Sequence, residues 1–177
     1  GANLGWTADA IRIARLGVIV FCTYHGLPET AMAFASLRRA VLWSWHKRNA
    51  PVPGANVPRF TEEYAWGFAK KPGLKWDEIG STLIDVPKLA TGCCANKERA
   101  MDDSGMALHP AQKPIAVMQR LLAVVLDGMT VLDPFLGSGT TAIACYRRGI
   151  QCVGVERDKD HFDLAVSRIE AEFDRDR

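Results

Sequence analysis

Two carboxylates and two glycines, set at fixed spacing in the C-terminal third, are the residues of this sequence best suited to hold a reactive small molecule. Asp133 stands at the end of an apolar run, Thr130 to Leu132. Gly137 and Gly139 follow, with Ser138, Thr140 and Thr141 among them, and Glu156 ends a second apolar run, Gln151 to Val155. The apolar runs read as buried strands, and Ser138 or Thr140 can cap a helix that follows the glycines. Glycines admit backbone conformations that a Cβ forbids and let a ligand approach the chain closely. The first helix amides then face the turn, and Glu156 is placed to accept hydrogen bonds from ribose hydroxyls. The arrangement predicts a nucleotide-like ligand.

Glycine spacing alone does not name that ligand. Gly137-x-Gly139-x-x-Ala142 also fits the dinucleotide fingerprint, whose acidic residue lies about 20 positions onward. Asp133-Pro134-Phe135 separates the readings, because a carboxylate at the strand end repels a pyrophosphate and suits the positive amino group of a methionine moiety. S-adenosylmethionine is therefore preferred to a nicotinamide dinucleotide. With Leu132-Asp-Pro-Phe-Leu-Gly-Ser-Gly-Thr-Thr141 in place, His109-Pro-Ala-Gln-Lys-Pro114 upstream and Val153-Gly-Val-Glu-Arg157 downstream, the sequence resembles the DNA amino-methyltransferases of the permuted β class. The three motifs fall in that family's order within residues 109–157.

The resemblance implies an α/β fold, a circularly permuted, Rossmann-like sheet of an S-adenosylmethionine-dependent methyltransferase. It implies methyl transfer to an exocyclic amine of a base swung out of duplex DNA, adenine favoured over cytosine. Asp133, Pro134, Phe135, Gly137, Ser138, Gly139, Thr140 and Thr141 would form the donor turn, with Asp133, Phe135, Gly137 and Gly139 around the methionine part. Glu156 would hold the ribose with Arg157 beside it, and Lys113, in one motif with His109, would approach the donor's carboxylate. Asp133 and Glu156 have a second role open to them, as strand-end caps of nearby amides, and His109 has one as an ordinary loop histidine. The family orients the target amine with an (Asp, Asn or Ser)-Pro-Pro-aromatic tetrapeptide, and this sequence has no Pro-Pro dipeptide. Asp133-Pro-Phe135 lies in the donor turn instead, so no catalytic residue is assigned.

In the family's order the tetrapeptide strand lies ahead of residue 1, between the strands of Val131 and Val18. An open gap there would leave buried amides and carbonyls unpaired at roughly 1 to 3 kcal/mol each, in a domain stable by only about 5 to 15 kcal/mol. The expectation is a longer protein whose N-terminal segment supplies two strands and the tetrapeptide. A remnant that binds S-adenosylmethionine or DNA without turnover, and a methyltransferase acting on RNA or a small molecule, are the alternatives.

The elements that must position these residues are legible in outline. The chain has 177 residues, 48% of them hydrophobic, enough for one domain-sized core. No apolar run reaches the roughly 20 residues of a bilayer span, and no signal peptide is evident, which makes the cytoplasm the expected compartment. Five cysteines without a C-x-x-C pair read as free thiols, and no metal site is expected. The net charge is +2, but residues 38–99 hold eleven Lys or Arg against six Asp or Glu, while residues 156–177 hold five against eight. A basic middle suits a phosphate-facing surface, with Lys47, Arg48, Arg59 and Lys75 as candidate DNA contacts. A homodimer and a cognate restriction nuclease are the partners the class brings by analogy.

Periodicity predicts a helix over residues 1–16 with Trp6, Ala10, Ile13 and Leu16 on its stripe, a buried parallel strand over 17–23 and a helix over 28–39. Strands at 41–46 and 64–69 flank a loop at 50–60. Residues 1–73 form the target side, 74–108 an irregular target-recognition insertion with a short strand near 81–86, and 109–177 the cofactor half. In that half a helix over 114–126 buries Ile115, Met118, Leu121, Leu122 and Val125. A strand ending at Asp133, a helix over 138–148, a strand over 151–155 and a helix over 159–173 complete it.

Overall fold

The computed structural model describes residues 5–47, 61–84, 98–109, 111–175 and 177. The chain divides into two compact units, Gly1–Ala90 and Thr91–Arg177. The expected insertion is shared between them, residues 74–84 with the first and 98–108 with the second. The 50–60 loop, Arg48, Arg59, Cys93 and Cys94 lie outside the described residues.

In the first unit, α1 (Thr7–Ile13) leads into β1 (Gly17–Cys22), α2 (Leu27–Ala33), β2 (Arg38–His46), β3 (Glu62–Ala69) and the two-residue β4 (Leu83–Ile84). The sheet order is β1-β3-β2-β4. β1 runs antiparallel to β3 from Gly17 opposite Ala69 to Cys22 opposite Tyr64, which corrects the expected parallel strand. Of its six residues only Val20 is fully buried. An apolar run encodes burial but not direction, and β3 is the one strand paired with it among the described residues. β2 and β3 are antiparallel with a bulge between Arg39 and Val41, and β4 joins β2 in parallel.

Both helices of this unit are shorter than their periodicity predicts. α1 ends at Ile13 because Lys70 donates to the carbonyls of Ile11 at 2.6 Å and Ala14 at 2.9 Å, a cation on a helix C-terminus. Its inward residues are Trp6, Ala10 and Ile11, packed on Val20, Phe34, Leu37 and Phe68, while Ile13 is half exposed. α2 ends at Ala33, and Arg38 and Arg39 belong to β2. Residues 74–84, though irregular, cover the sheet: Ile79 and Ile84 are buried and Trp76 lies against Trp43 with ring centroids 6.0 Å apart.

The second unit contains α3 (Ile115–Leu121), which tightens into a 3-10 turn over Leu122–Val124, then β5 (Thr130–Asp133), α4 (Thr140–Tyr146), β6 (Gln151–Gly154) and α5 (Lys159–Arg175). β5 and β6 pair in parallel, Thr130 opposite Gln151 and Asp133 opposite Gly154. Their inward residues Val131 and Cys152 pack on Ile115, Leu122, Ile143, Ala144, Cys145 and Ile150. Val117 and Val124 are fully buried on α3 and its turn, whereas Met118 and Val125, placed on the inner face by periodicity, are only partly so. The tightening to three residues per turn after Leu121 rotates Val124 inward. α4 closes by bonds from Gly149 N to Tyr146 O and Ile150 N to Cys145 O, at 2.9 and 3.0 Å, with Gly149 left-handed. Cys22, Cys145 and Cys152 are free thiols, and Cys145, donating toward the Cys152 sulfur in a buried setting, is raised well above the usual thiol range.

Gly67 of β3 sits beneath Trp76, where a Cβ would come within 2.5 Å of the indole and 2.9 Å of Val41 Cγ1. Gly67→Ala is expected to destabilise the first unit by about 1–3 kcal/mol through overpacking. All five tryptophans lie in that unit, so urea unfolding followed by tryptophan fluorescence reads it directly. An unchanged midpoint would show that the Trp76 segment does not seat on β3.

Candidate cofactor site

The ends of β5 and β6 define the site. Past Asp133 and Gly154 the two chains stay joined, Val155 N donating to Asp133 O and Leu136 N donating to Val155 O, both at 2.9 Å. This carries Glu156 to the turn that follows β5. Its Oε2 accepts from Gly137 N at 2.8 Å and its Oε1 from Asp158 N at 2.9 Å. Bonds from the Asp158, Gly137 and Arg157 amides hold the Glu156 carboxyl below the ordinary carboxylate range. Asp133 makes a tighter local closure, Oδ1 accepting from Phe135 N at 3.0 Å, an Asx-type turn that leaves Phe135 59% exposed. Both carboxylates therefore cap strand-end amides. A carboxylate has about four acceptor positions, so capping leaves capacity for a ligand.

The turn itself is buried. Gly137 is left-handed at φ 55°, and a Cβ there would lie 2.8 Å from His109 Nε2; Gly139, at φ 81°, would meet Ala165 Cβ at 3.1 Å. Gly139 is the residue that caps α4, with no side-chain hydrogen bond, which corrects the expectation that Ser138 or Thr140 caps it and that the helix begins at 138. A left-handed residue at that place turns the chain without a hydroxyl. Ser138 is buried, and its carbonyl accepts from Arg168 of α5. Thr140 uses its hydroxyl elsewhere, donating to Lys113 O at 3.1 Å, which joins the His109–Pro114 motif to the glycine turn.

His109, itself in irregular backbone, packs on the turn. Its ring stands edge-on to His161 with centroids 4.5 Å apart, and its Nδ1 is buried without a hydrogen-bond partner. Burial, with the nearby His161, holds its pKa below the usual histidine value, so the imidazole is neutral at pH 7. Lys113 precedes Pro114, the N-cap of α3, and its ammonium donates to Ala111 O at 3.2 Å. Glu98 closes the start of α3 from outside, Oε2 accepting from Ile115 N at 3.0 Å. Pro134 and Arg157 are exposed at the rim, and Thr141 is buried in the first turn of α4.

The structure adds residues that sequence reasoning missed: Arg168, Ala165, His161, Asp158 and Glu98. Asp158 caps α5, accepting from His161 N at 3.0 Å, and the Asp158-x-x-His161 spacing before an amphipathic run could have shown it. Of the candidate DNA contacts, Lys47 and Lys75 are described, both in the first unit. Lys47 pairs with Glu63 at 2.9 Å and Lys75 with Glu78 at 3.4 Å. Among the described residues no group of His, Cys, Asp and Glu could hold a metal ion, and no helix is long and apolar enough to cross a membrane.

A pair of parallel strand ends carrying acidic residues around a buried glycine turn is the site of a Rossmann-like nucleotide-binding fold. The signature of the DNA methylase family, the N6/N4 methyltransferases, matches residues 42–167, and the chain belongs to that family. The type II methyltransferase M.ScaI of Streptomyces caespitosus is 40% identical over 109 residues, which are 58% of this chain and 34% of that protein. The match thus spans about a third of that relative's length. The crystal structure of the M1.HpyAVI–SAM complex superposes with a TM-score of 0.68 at 26% identity, covering 94% of this chain and 81% of that one. The cytosine-N4-specific PvuII DNA methyltransferase shares the fold, with a TM-score of 0.58 at 16% identity over 85% of this chain and 60% of that one.

Glu156 gives a pH prediction. A carboxylate whose pKa is lowered in the folded state adds stability that is complete above its ordinary value of 4.5 and is lost as pH falls through the folded value. Glu156→Gln is expected to lower the melting temperature at pH 7 by about 2–4 °C, equivalent to about 1 kcal/mol after solvent screening. The gap to the parent should close as pH drops below 4.5. A gap that stays constant with pH would mean that the charge is not what fastens the turn.

Proposed function

We propose that the second unit binds S-adenosylmethionine at the Asp133–Thr141 turn, and that the protein transfers its methyl group to an exocyclic amine of a base in duplex DNA. The observation that carries this reading is the placement of Asp133 and Glu156 at the C-terminal ends of adjacent parallel strands, on either side of a buried glycine turn. The residues present fit that group. Gly137 to Thr140 are buried with the start of α4 behind them, Asp133 matches an ammonium, Glu156 matches vicinal hydroxyls, and Phe135 offers an exposed ring beside the turn. Lys113 supplies a positive charge for a carboxylate.

When bound, the cofactor supplies an electrophilic methyl carbon on a sulfonium. The chain's part is to bind and orient it. Asp133 would hold the amino end and Glu156 the sugar end, with the turn between them anchored at both sides.

The finer readings belong to the same proposal. Adenine N6 is the target taken over cytosine N4; the cytosine-specific neighbour bears on the fold alone. Lys47, Arg48, Arg59 and Lys75 are proposed DNA contacts, with Lys47 leaving Glu63 for a phosphate. A cytoplasmic location, a homodimer and a partner nuclease are proposed with them.

Calorimetry with S-adenosylhomocysteine tests the donor site: the chain is expected to bind it, and Asp133→Ala to weaken binding by about tenfold, the loss of one charge-assisted hydrogen bond. Equal affinities would remove Asp133 from the site. Tritium transfer from labelled cofactor to duplex DNA by the whole protein, followed by digestion to nucleosides, decides the base. Cofactor binding without labelled DNA would favour a non-catalytic binding role or an RNA or small-molecule acceptor.

A further inference from the structure

Arg168 is a half-buried cation on a helix whose other charges are largely at the surface, and the donor turn is built against it. Along α5, Ala165, Arg168 and Glu172 fall at i, i+3 and i+7 on the buried face. Ala165 lies under Gly139, Glu172 pairs with Arg147, and the Arg168 guanidinium donates to the Ser138 carbonyl and, at 3.4 Å, to Thr140 Oγ1. Burial lowers its pKa, and two acidic side chains, Glu98 and Glu172, oppose that shift.

An arginine can only donate. The Thr140 hydroxyl, accepting from Arg168, must therefore spend its single hydrogen on the other neighbour, the Lys113 carbonyl 3.1 Å away. The polarity of the chain Arg168 → Thr140 → Lys113 is fixed by the first member. The Ser138 carbonyl has a related effect. Held toward α5, it turns the amide of the same peptide away, and Gly139 N donates to Leu136 O at 3.0 Å. Without the guanidinium the Thr140 hydroxyl keeps only the Lys113 carbonyl, and the Ser138–Gly139 peptide loses the partner that holds it toward α5.

We propose that Arg168 is a positioning residue that sets Lys113 and the start of α4 for the amino-acid end of the cofactor. The inference rests on the cofactor reading above. The sugar end is held differently, by Glu156 on the amides of Gly137 and Asp158, with no bond through Arg168. Loss of Arg168 should thus divide the ligand into two parts, which a general loss of structure would not do.

The test compares S-adenosylhomocysteine with methylthioadenosine, which keeps the nucleoside and lacks the amino acid, by calorimetry on the whole chain. Arg168→Met is expected to weaken S-adenosylhomocysteine about tenfold, as for a lost hydrogen bond to a charged group, and to leave methylthioadenosine within about twofold. Arg168→Lys, retaining the charge and one donor, should recover part of the difference. Thr140→Val interrupts the relay while leaving Arg168 in place, and should reproduce the split even if Arg168→Met does not fold. Equal loss for both ligands, or no loss for either, would overturn the assignment while leaving the cofactor reading intact. Failure of the unmodified chain to bind either ligand would overturn both.

Discussion

The carboxylate of Glu156, with one oxygen on the Gly137 amide and the other on the Asp158 amide, is the constraint on which the second unit depends. Backbone bonds already tie the end of β6 to the turn after β5, and Glu156 adds the start of α5 to that junction. Each Glu156 bond is ionic on one side and so is stronger than a neutral one. A turn fastened in this way is shaped before any ligand arrives, and a ligand that fits it need not spend its binding energy on ordering the chain.

The same economy of position recurs around the turn. His109 occupies the volume a Cβ would need at Gly137, and Ala165 does so at Gly139. Side chains from both flanks, one on the segment before α3 and one on α5, therefore fill the space that the glycines leave, so the left-handed backbone is held by packing as well as by hydrogen bonds. The neutral state of His109 follows from that packing, since burial disfavours its charge. Substituting either glycine would push against a residue that itself holds the site.

How much of this the sequence disclosed depended on whether the cause was local. The donor turn, its two carboxylates and its flanking strands were legible because strand, glycine turn and helix are encoded by neighbouring residues. The direction of β1 was not, since Gly17–Cys22 pairs with Tyr64 to Ala69, far along the chain, and an apolar run looks alike in either direction. The early end of α1 depends on Lys70, and the cap of α3 on Glu98, both remote in sequence. Arg168 was passed over because its helix reads as a charged surface helix; only the tertiary structure shows that Ala165, Arg168 and Glu172 share the buried face. The capping roles of Asp133 and Glu156, open beside their ligand roles in the sequence, are both realised in the structure.

The most direct measurement is a crystal structure of the chain soaked with S-adenosylhomocysteine. The ligand should lie along Asp133–Thr141 with its ribose on Glu156, while Glu156 keeps its bonds to Gly137 and Asp158 and the turn keeps its present backbone. Ligand density elsewhere on the molecule, or a turn rebuilt with Glu156 released from those amides, would contradict a preformed cofactor cradle.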